Sequence, residues 1–415
     1  MKILILTQYF WPESFGITAL ARSMHARGVE VTVLTGQPNY PGGVVFDGYA
    51  AWRVCRECFD GIEIVRVPIF PRGIKSGVRL AANYLSFIVS ACLIAPWMLR
   101  GRQFDAVFVY APSPLLQALP AVWLSWLKRA PLVVWVQDLW PESLSATGFV
   151  KKKVVLDLVA SAVRYIYRRS DLILIPSEGF RTPIRRLMGN ADRIIYYPNA
   201  FVDESGSASL SPDLNALVEA IAAGPSVVFA GNLGTAQALE TLLGAAERVA
   251  ALQPDIRFFI VGSGSLSGWL ASEIEKHKLA NVFLPGRFPP QAMAPIYTAA
   301  SVLLVSLRDE PIFAMTIPSK VQGYLAAGKP VIACLNGEGA RIVVEAEAGI
   351  ACPAGDDEAL AAAVIHVCGL DDDARRKMGE NGRRYADRHF GLAWLTDDLI
   401  GRLKALSVQR REASQ

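Results

Sequence analysis

The chain has 415 residues, 52% of them hydrophobic, and a mean hydropathy of +0.30. That length exceeds one ordinary domain and suits two of about 200 residues, each able to bury its own core. The composition excludes disordered and collagen-like chains, and the formal net charge of +4 hides an asymmetry. Residues 1–200 hold 23 Lys+Arg against 13 Asp+Glu, a net +10, and the remainder holds 19 against 25, a net −6. A basic, apolar first half is expected to meet an anionic surface or substrate.

Residues 2–7 form a short apolar run suited to a central parallel strand rather than a signal peptide. Gln8-Tyr9-Phe10-Trp11-Pro12-Glu13-Ser14-Phe15-Gly16-Ile17 reads as a loop. A helix over 18–27, stopped by Gly28, and a strand over 29–35 complete a βαβ opening. It lacks GxGxxG, which argues against a dinucleotide pocket. Gly16 either lets the backbone approach a diphosphate or is a plain turn glycine. Residues 37–61 read as one long turn-rich loop, and 62–68 as a strand.

The stretch that begins at Leu80 and ends at Leu99 has 20 residues without Asp, Glu, Lys or Arg. Arg72, Lys75 and Arg79 precede it; Arg100 and Arg102 follow. It is long enough to cross a membrane, about 30 Å as a helix. A single crossing would separate the first strands from those expected over 105–110 and 132–136. Three possibilities stand: a core helix, a re-entrant hairpin broken near Pro96, or a helix lying in the interface. Basic and aromatic residues at its borders, with Trp123, Trp126 and Lys128-Arg129 closing the next apolar run, favour an exposed apolar patch rimmed by Arg and Lys.

The strand over 132–136 leads into Gln137-Asp138-Leu139-Trp140-Pro141-Glu142-Ser143. Polar residues at the carboxyl end of a parallel strand are where α/β proteins place their sites. Asp138 and Glu142 are therefore candidate acid/base residues, with a solvated loop as the bland alternative. Lys151-Lys152-Lys153 opens a helix closed by Arg164, Arg168 and Arg169, a solvated face or a headgroup contact. Strands over 172–176 and 194–197 precede a polar linker over 203–213.

The second half restarts the pattern. Strands over 226–230, 257–261 and 281–284 lead into Gly231-Asn232-Leu233-Gly234-Thr235-Ala236-Gln237, Gly262-Ser263-Gly264 and Pro285-Gly286-Arg287-Phe288. Short polar side chains and bare N–H groups at such strand ends suit a nucleotide diphosphate. After a strand over 301–307 comes a polar loop, then Ile317-Pro318-Ser319-Lys320, with Pro318 in the first turn of a helix that Gly328 ends. The helix start offers N–H groups, its dipole and Lys320 to an anion.

The six cysteines (55, 58, 92, 334, 352, 368) contain one CxxC and no nearby histidine. They read as reduced thiols of a cytoplasmic protein. No metal or cofactor is expected, and nucleic acid is disfavoured because the basic residues border apolar stretches.

Taken together, Gln8 through Glu13, Asp138 through Ser143, Pro198-Asn199, Gly231-Asn232-Leu233-Gly234, Gly262-Ser263-Gly264 and Pro318-Ser319-Lys320 through Gly328-Lys329-Pro330 resemble the family-4 glycosyltransferases. Within them they resemble bacterial enzymes like the L-fucosamine transferases of surface-polysaccharide assembly. The resemblance implies an α/β fold of the GT-B type, with two facing Rossmann-like domains over 1–200 and 201–390 and a C-terminal helix within 391–415 crossing back. It implies transfer of a sugar from a nucleoside-diphosphate donor, UDP for preference, to a lipid-linked polyprenyl diphosphate acceptor at the cytoplasmic membrane face. Donor contacts fall on Gly16, Ile17, Asn232, Gln237, Gly262, Ser263, Arg287, Phe288, Ile317, Pro318, Ser319 and Lys320, and acceptor-side chemistry on Asp138 or Glu142, with Lys320 balancing the leaving diphosphate. The sequence departs from the family in two places. Asn232 and Gln237 stand where an Arg and a Lys are usual, and Met315 and Gly323 where two glutamates are usual. Glu310 is the nearest carboxylate to replace one of them. The rivals are a nucleotide-sugar epimerase of the same build, which would need no lipid surface, a non-catalytic sugar-nucleotide-binding subunit, and an oxidoreductase.

Overall fold

The structure is a computed structural model and describes residues 1–73, 76–146, 152–189, 192–202 and 211–412. Lys75, Lys151 and residues 203–210 of the expected linker lie outside the described residues. The chain divides into two compact units, one of Met1–Ala200 with Leu392–Gln415, the other of Phe201–Gly391.

Among the described residues, the first unit is an eight-stranded sheet. Its strands are β1 (Lys2–Leu6), β2 (Glu30–Gly36), β3 (Cys55–Phe59), β4 (Ile62–Val67), β5 (Ala106–Ala111), β6 (Leu132–Val136), β7 (Leu172–Ile175) and β8 (Ile194–Tyr196). Their spatial order is β3-β4-β2-β1-β5-β6-β7-β8, parallel except for β3. The central strands are buried on both faces, as their unbroken Ile, Leu and Val runs require. Strand β3 corrects the expectation of a single loop over 37–61. Asp60 and Gly61 both take positive φ, the geometry of a two-residue hairpin turn, and fold β3 antiparallel onto β4. Helix α1 (Gly16–Ala26) buries Ile17, Leu20 and Met24 in the same core as Leu395, Leu399 and Leu403 of the last helix, Leu392–Glu412. Arg27 pairs with Asp397 at 2.6 Å, and the Tyr197 hydroxyl donates to the Leu395 carbonyl at 2.7 Å. The C-terminal helix thus belongs to the first unit.

Helix α2 (Gly77–Met98) contains the long apolar stretch. Ser76 caps it, accepting from the Arg79 N–H. Its buried face is Asn83, Phe87, Ala91 and Ala95, one residue per turn. The opposite face carries Val78, Leu85, Val89, Leu93 and Trp97, which are 82%, 59%, 55%, 73% and 72% exposed. The core-helix possibility is therefore excluded. So is a hairpin broken at Pro96, because the helix runs through it. Near its end, Lys128 donates to the Leu99 and Arg102 carbonyls and Arg56 to the Met98 carbonyl, so cations satisfy the helix C-terminus. Helix α3 (Leu119–Lys128) packs on α2 and exposes Trp123 and Trp126, stacked at 5.1 Å. The rim is thinner in charge than expected: Arg79, Arg100 and Arg129 are exposed, while Lys128 is spent on the helix end and Arg102 on Glu63. Helix α4 (Lys153–Arg169) exposes Val154 and Leu158 beside Lys152 and Lys153.

In the second unit a six-stranded parallel sheet comprises β9 (Ser226–Asn232), β10 (Arg257–Ser263), β11 (Val282–Gly286), β12 (Val302–Ser306), β13 (Val331–Cys334) and β14 (Gly349–Cys352). The order β11-β10-β9-β12-β13-β14 is the doubly wound arrangement, with its switch point between β9 and β12. Asn232, Gly262 and Ser263 end strands rather than sit in loops. The expected polar loop after β12 contains a helical turn, Pro311–Ala314. Helix α5 (Ser319–Ala326) then starts one residue after Pro318, which is its N-cap at ψ 137 rather than part of its first turn.

Candidate active site

In the second unit the switch point is built from glycines. Gly231 and Gly262 take φ of +141° and +145°. A Cβ on Gly262 would meet the Gly231 carbonyl at 1.9 Å, so the ends of β9 and β10 approach only because Gly262 has no side chain. A Cβ on Gly231 would meet Cε of Lys320 at 2.5 Å, so that same glycine leaves the space in which Lys320 lies. Tyr324, one turn along α5 and fully buried, holds the helix to β9. Its hydroxyl accepts from the Ala230 N–H at 2.9 Å and faces the Ala230 carbonyl at 3.3 Å. Lys320 donates to Oε1 of Gln237 at 2.5 Å, and its Nζ sits 3.7 Å from the centroid of the Phe229 ring. Burial pushes its pKa down to about 7. The Gln237 carbonyl accepts from Ser306 at 2.6 Å, pinning the loop after β9 to the end of β12.

The structure brings the expected donor residues Lys320 and Gln237 together beside Gly231, with Gly262 and Ser263 on the adjoining strand. Asn232 and Ser319 are exposed next to them. Arg287 and Phe288 follow β11, the edge strand two strands from β9 and about 10 Å along the sheet. Arg287 is exposed, and Phe288 packs on the core with Ile317. At the positions where the family has glutamates, Met315 ends the helical turn Pro311–Ala314 and Gly323 faces the Phe201 ring, 3.6 Å from a built Cβ. Glu310 is exposed at the start of that turn.

In the first unit the switch point lies between β1 and β5. Asp138 follows β6, the neighbour of β5. It accepts from the Ser143 hydroxyl and, at 3.2 Å, from the Trp140 indole, which also reaches Ser113 at 3.3 Å. Burial raises its pKa above the ordinary Asp value, against these donors. Glu142 opens a short helix, Glu142–Ala146, and its charge, like that of Asp138, bears on the fully buried Tyr167. Gly16 begins α1 with open space where a Cβ would stand. Ile17 is wholly buried in the core, so its side chain is structural.

Three residues were not singled out. Glu13, 3% exposed, accepts from the N–H groups of Phe10, Asn39 and Tyr40 at 3.2, 2.8 and 2.7 Å, fastening the loops after β1 and β2. Burial raises its pKa to about 7. A signal was present: Trp-Pro-Glu-Ser occurs at both 11–14 and 140–143, after β1 and after β6. Asn83, buried inside the most apolar helix, accepts from Gln8 at 2.6 Å and donates to the Phe70 carbonyl at 2.7 Å. Tyr84 lies near the hydroxyls of Tyr9 and Ser113, and burial, with the charges of Arg72 and Asp138 acting in opposite directions, raises its pKa.

Each unit is thus a doubly wound α/β sheet, and the second has glycine-rich strand ends and a lysine at its switch point. Residues 16–200 match the model of the glycosyl transferase 4-like domain, and residues 224–369 that of glycosyl transferases group 1. The chain belongs to these family-4, GT-B type glycosyltransferases and is an enzyme of sugar transfer. It is 27% identical over 328 residues to a Pseudomonas aeruginosa protein named "Probable glycosyltransferase WbjE", covering 77% of each chain. It is 26% identical to WcaI of Escherichia coli (strain K12), whose name places it in colanic acid biosynthesis, over 79% of this chain and 82% of the other. Among solved structures, Anabaena Alr3699/HepE in complex with UDP is similar at a TM-score of 0.67 and 16% identity, over 98% of this chain and all of that one, a likeness of fold.

Proposed function

We propose that this glycosyltransferase takes its sugar from a UDP-linked donor and passes it to a lipid-linked saccharide, at the cytoplasmic face of a membrane to which it binds peripherally. The observation that carries this reading is the outward face of α2. Leu85, Val89, Leu93 and Trp97 are all more than half exposed, on a helix whose other face is anchored in the first unit. Each such side chain gains roughly 1.5–3 kcal/mol on full removal from water. A lipid surface covers a stripe of this kind while Arg79, Arg100 and Arg129 meet anionic headgroups. The UDP assignment draws on HepE, solved with UDP, and on Lys320 beside Gln237 as a place for a diphosphate. The likeness to WcaI, named for colanic acid biosynthesis, supports an acceptor in polysaccharide assembly; the finer choice of an N-acetylated amino sugar such as L-fucosamine rests on the sequence resemblance alone.

In this reading the leaving UDP is balanced by Lys320, the N–H groups at the start of α5, and the neutral donors Asn232 and Gln237. Asp138 or Glu142 accepts the proton of the acceptor hydroxyl. The test is a transfer assay with radiolabelled UDP-sugars and vesicles carrying a polyprenyl-diphosphate saccharide. Label is expected in the butanol-extractable lipid. Label transferred equally well to a water-soluble saccharide, with no preference for the lipid form, would refute the acceptor.

A further inference from the structure

Arg72 stands in the chain between β4 and α2, half-buried. Its backbone N–H is tied to Oδ1 of Asn39 at 3.1 Å, which fixes where the side chain begins. The guanidinium lies over the Tyr40 ring, 5.1 Å from the centroid, and Nη1 is 3.5 Å from the Tyr9 hydroxyl. Three other sheltered arginines of this unit spend their charge on carboxylates, Arg66 on Glu57, Arg102 on Glu63 and Arg181 on Glu178, while Arg193 donates to the Ser170 carbonyl. Arg72 has no carboxylate within ion-pair distance among the described residues, and its Nε and Nη2 have no hydrogen-bond acceptor among them. A sheltered cation without a counter-charge is costly, and a guanidinium presents a planar fork that matches a phosphate.

The position of this fork matters more than its charge. Tyr84 feels both the Arg72 and the Asp138 charge and lies near the Tyr9 and Ser113 hydroxyls, and Ser113 shares the Trp140 indole with Asp138. Arg72 and the candidate base therefore both lie near Tyr84 within one unit. Tyr84 sits on α2 between its buried face, which begins at Asn83, and its exposed apolar stripe, which includes Leu85. One kind of ligand has the parts in this order: a sugar hydroxyl for Asp138, an anomeric phosphate for Arg72, and a hydrocarbon tail for the α2 stripe.

We infer that Arg72 is the phosphate-binding residue for the acceptor, gripping the diphosphate that joins the acceptor sugar to its lipid. This rests on the lipid-linked reading above and adds the residue that recognises the headgroup. The donor diphosphate has its own cation in Lys320, and the two are separable by experiment.

The full-length protein, saturated with UDP so that the donor site is filled, is titrated with farnesyl diphosphate, farnesol and inorganic pyrophosphate. Wild type, Arg72→Met, Arg72→Lys and Lys320→Ala are compared, each checked for an unchanged circular-dichroism spectrum. Farnesyl diphosphate is expected to bind wild type more tightly than farnesol or pyrophosphate alone. Arg72→Met should weaken it by ten- to a hundredfold, with partial recovery in Arg72→Lys. UDP affinity and flotation with phosphatidylglycerol vesicles should be unchanged in Arg72→Met. Equal farnesyl diphosphate binding in wild type and Arg72→Met overturns the assignment. So does a matching loss of UDP affinity, which would make Arg72 a donor residue, or pyrophosphate binding as tight as the farnesyl ester, which would make the site one for free anions. If wild type neither floats with vesicles nor prefers farnesyl diphosphate to pyrophosphate, the lipid reading itself fails, apart from any effect of Arg72.

Discussion

The amine of Lys320 lies 2.5 Å from Oε1 of Gln237, joining the helix that follows β12 to the loop that follows β9 across the switch point of the second sheet. The two partners come from the loop after one strand and the first turn of a helix after another, ends that a doubly wound fold brings together, and both are placed by a neighbour: Lys320 by the missing side chain of Gly231, Gln237 by its bond to Ser306. Arg308 stands at the same strand ends, its N–H meeting the Ala236 carbonyl, but its charge is spent on Glu240, whereas Lys320 has a neutral partner in Gln237.

If Lys320 meets the donor diphosphate, its burial gives donor binding a defined pH dependence. Burial lowers its pKa to about 7, whereas in the unfolded chain it titrates near 10.4. Between those values the unfolded state holds a proton that the folded one lacks. Stability of the ligand-free protein is therefore expected to rise with pH over that window from this group, and to be insensitive to it below about 7. A bound diphosphate favours the charged amine. UDP affinity should fall as pH rises above about 7, with proton uptake on binding. Calorimetry in buffers of different ionisation enthalpy measures that uptake directly; binding with no proton uptake at pH 8 would show that Lys320 does not meet the diphosphate.

Tyr324 is expected to matter to the same site through geometry. Its hydroxyl serves the Ala230 backbone, and it lies fully buried at the base of α5. Tyr324→Phe leaves a buried N–H with a poorer environment, a loss of about 1–3 kcal/mol. Chemical denaturation should show a lower midpoint, together with weaker UDP binding than wild type. An unchanged midpoint would mean that the hydroxyl does not anchor the helix.

On the acceptor side, Asp138→Asn and Glu142→Gln keep shape and remove charge. Transfer is expected to fall by about 10²–10⁴-fold in the variant that loses the base, with UDP affinity intact. Because burial holds the Asp138 carboxyl above its ordinary range, the acid limb of kcat/KM should lie above about pH 3.9 if Asp138 is that base. Normal transfer by both variants would place the base elsewhere.

The sequence made the parallel strands legible because buried parallel strands are unbroken apolar runs, and the glycine loops legible because they sit where such runs stop. It hid β3, whose residues Cys55 to Phe59 alternate weakly, although Asp60-Gly61 was a usable hairpin signal. Pattern reading also could not decide which way α2 faces. Asn83, the one amide at the start of its buried face, marks the side turned towards the loops, but only the bonds to Gln8 and Phe70 reveal this. Ile17 and Phe288 were named for their places in a motif, and their side chains prove to be packing. Glu13 and Arg72 act through contacts 26 to 63 residues away in the chain, beyond the reach of local pattern.

The exposed stripe of α2 makes its own prediction. Leu85→Glu with Leu93→Glu places two charges on residues that are 59% and 73% exposed, so the fold should tolerate them. Wild type is expected to sediment with membranes and the double variant to remain in the supernatant, with UDP binding unchanged. Wild type found wholly in the supernatant without detergent would remove the membrane contact; a concentration-dependent dimer lost in the double variant would assign the stripe to a second copy instead.

Thermal unfolding of wild type and Lys320→Ala, each with and without UDP, bears most directly on a nucleotide-sugar donor held by the second unit. At a hundred times its Kd, UDP should stabilise wild type by about 2.7 kcal/mol. The same concentration should stabilise Lys320→Ala by only about 0.4–1.4 kcal/mol, because losing a charge-assisted contact worth roughly 1.5–3 kcal/mol weakens binding by about ten- to a hundredfold. A shift of equal size in both proteins would contradict the role of Lys320, and no shift of wild type with UDP would contradict the UDP donor.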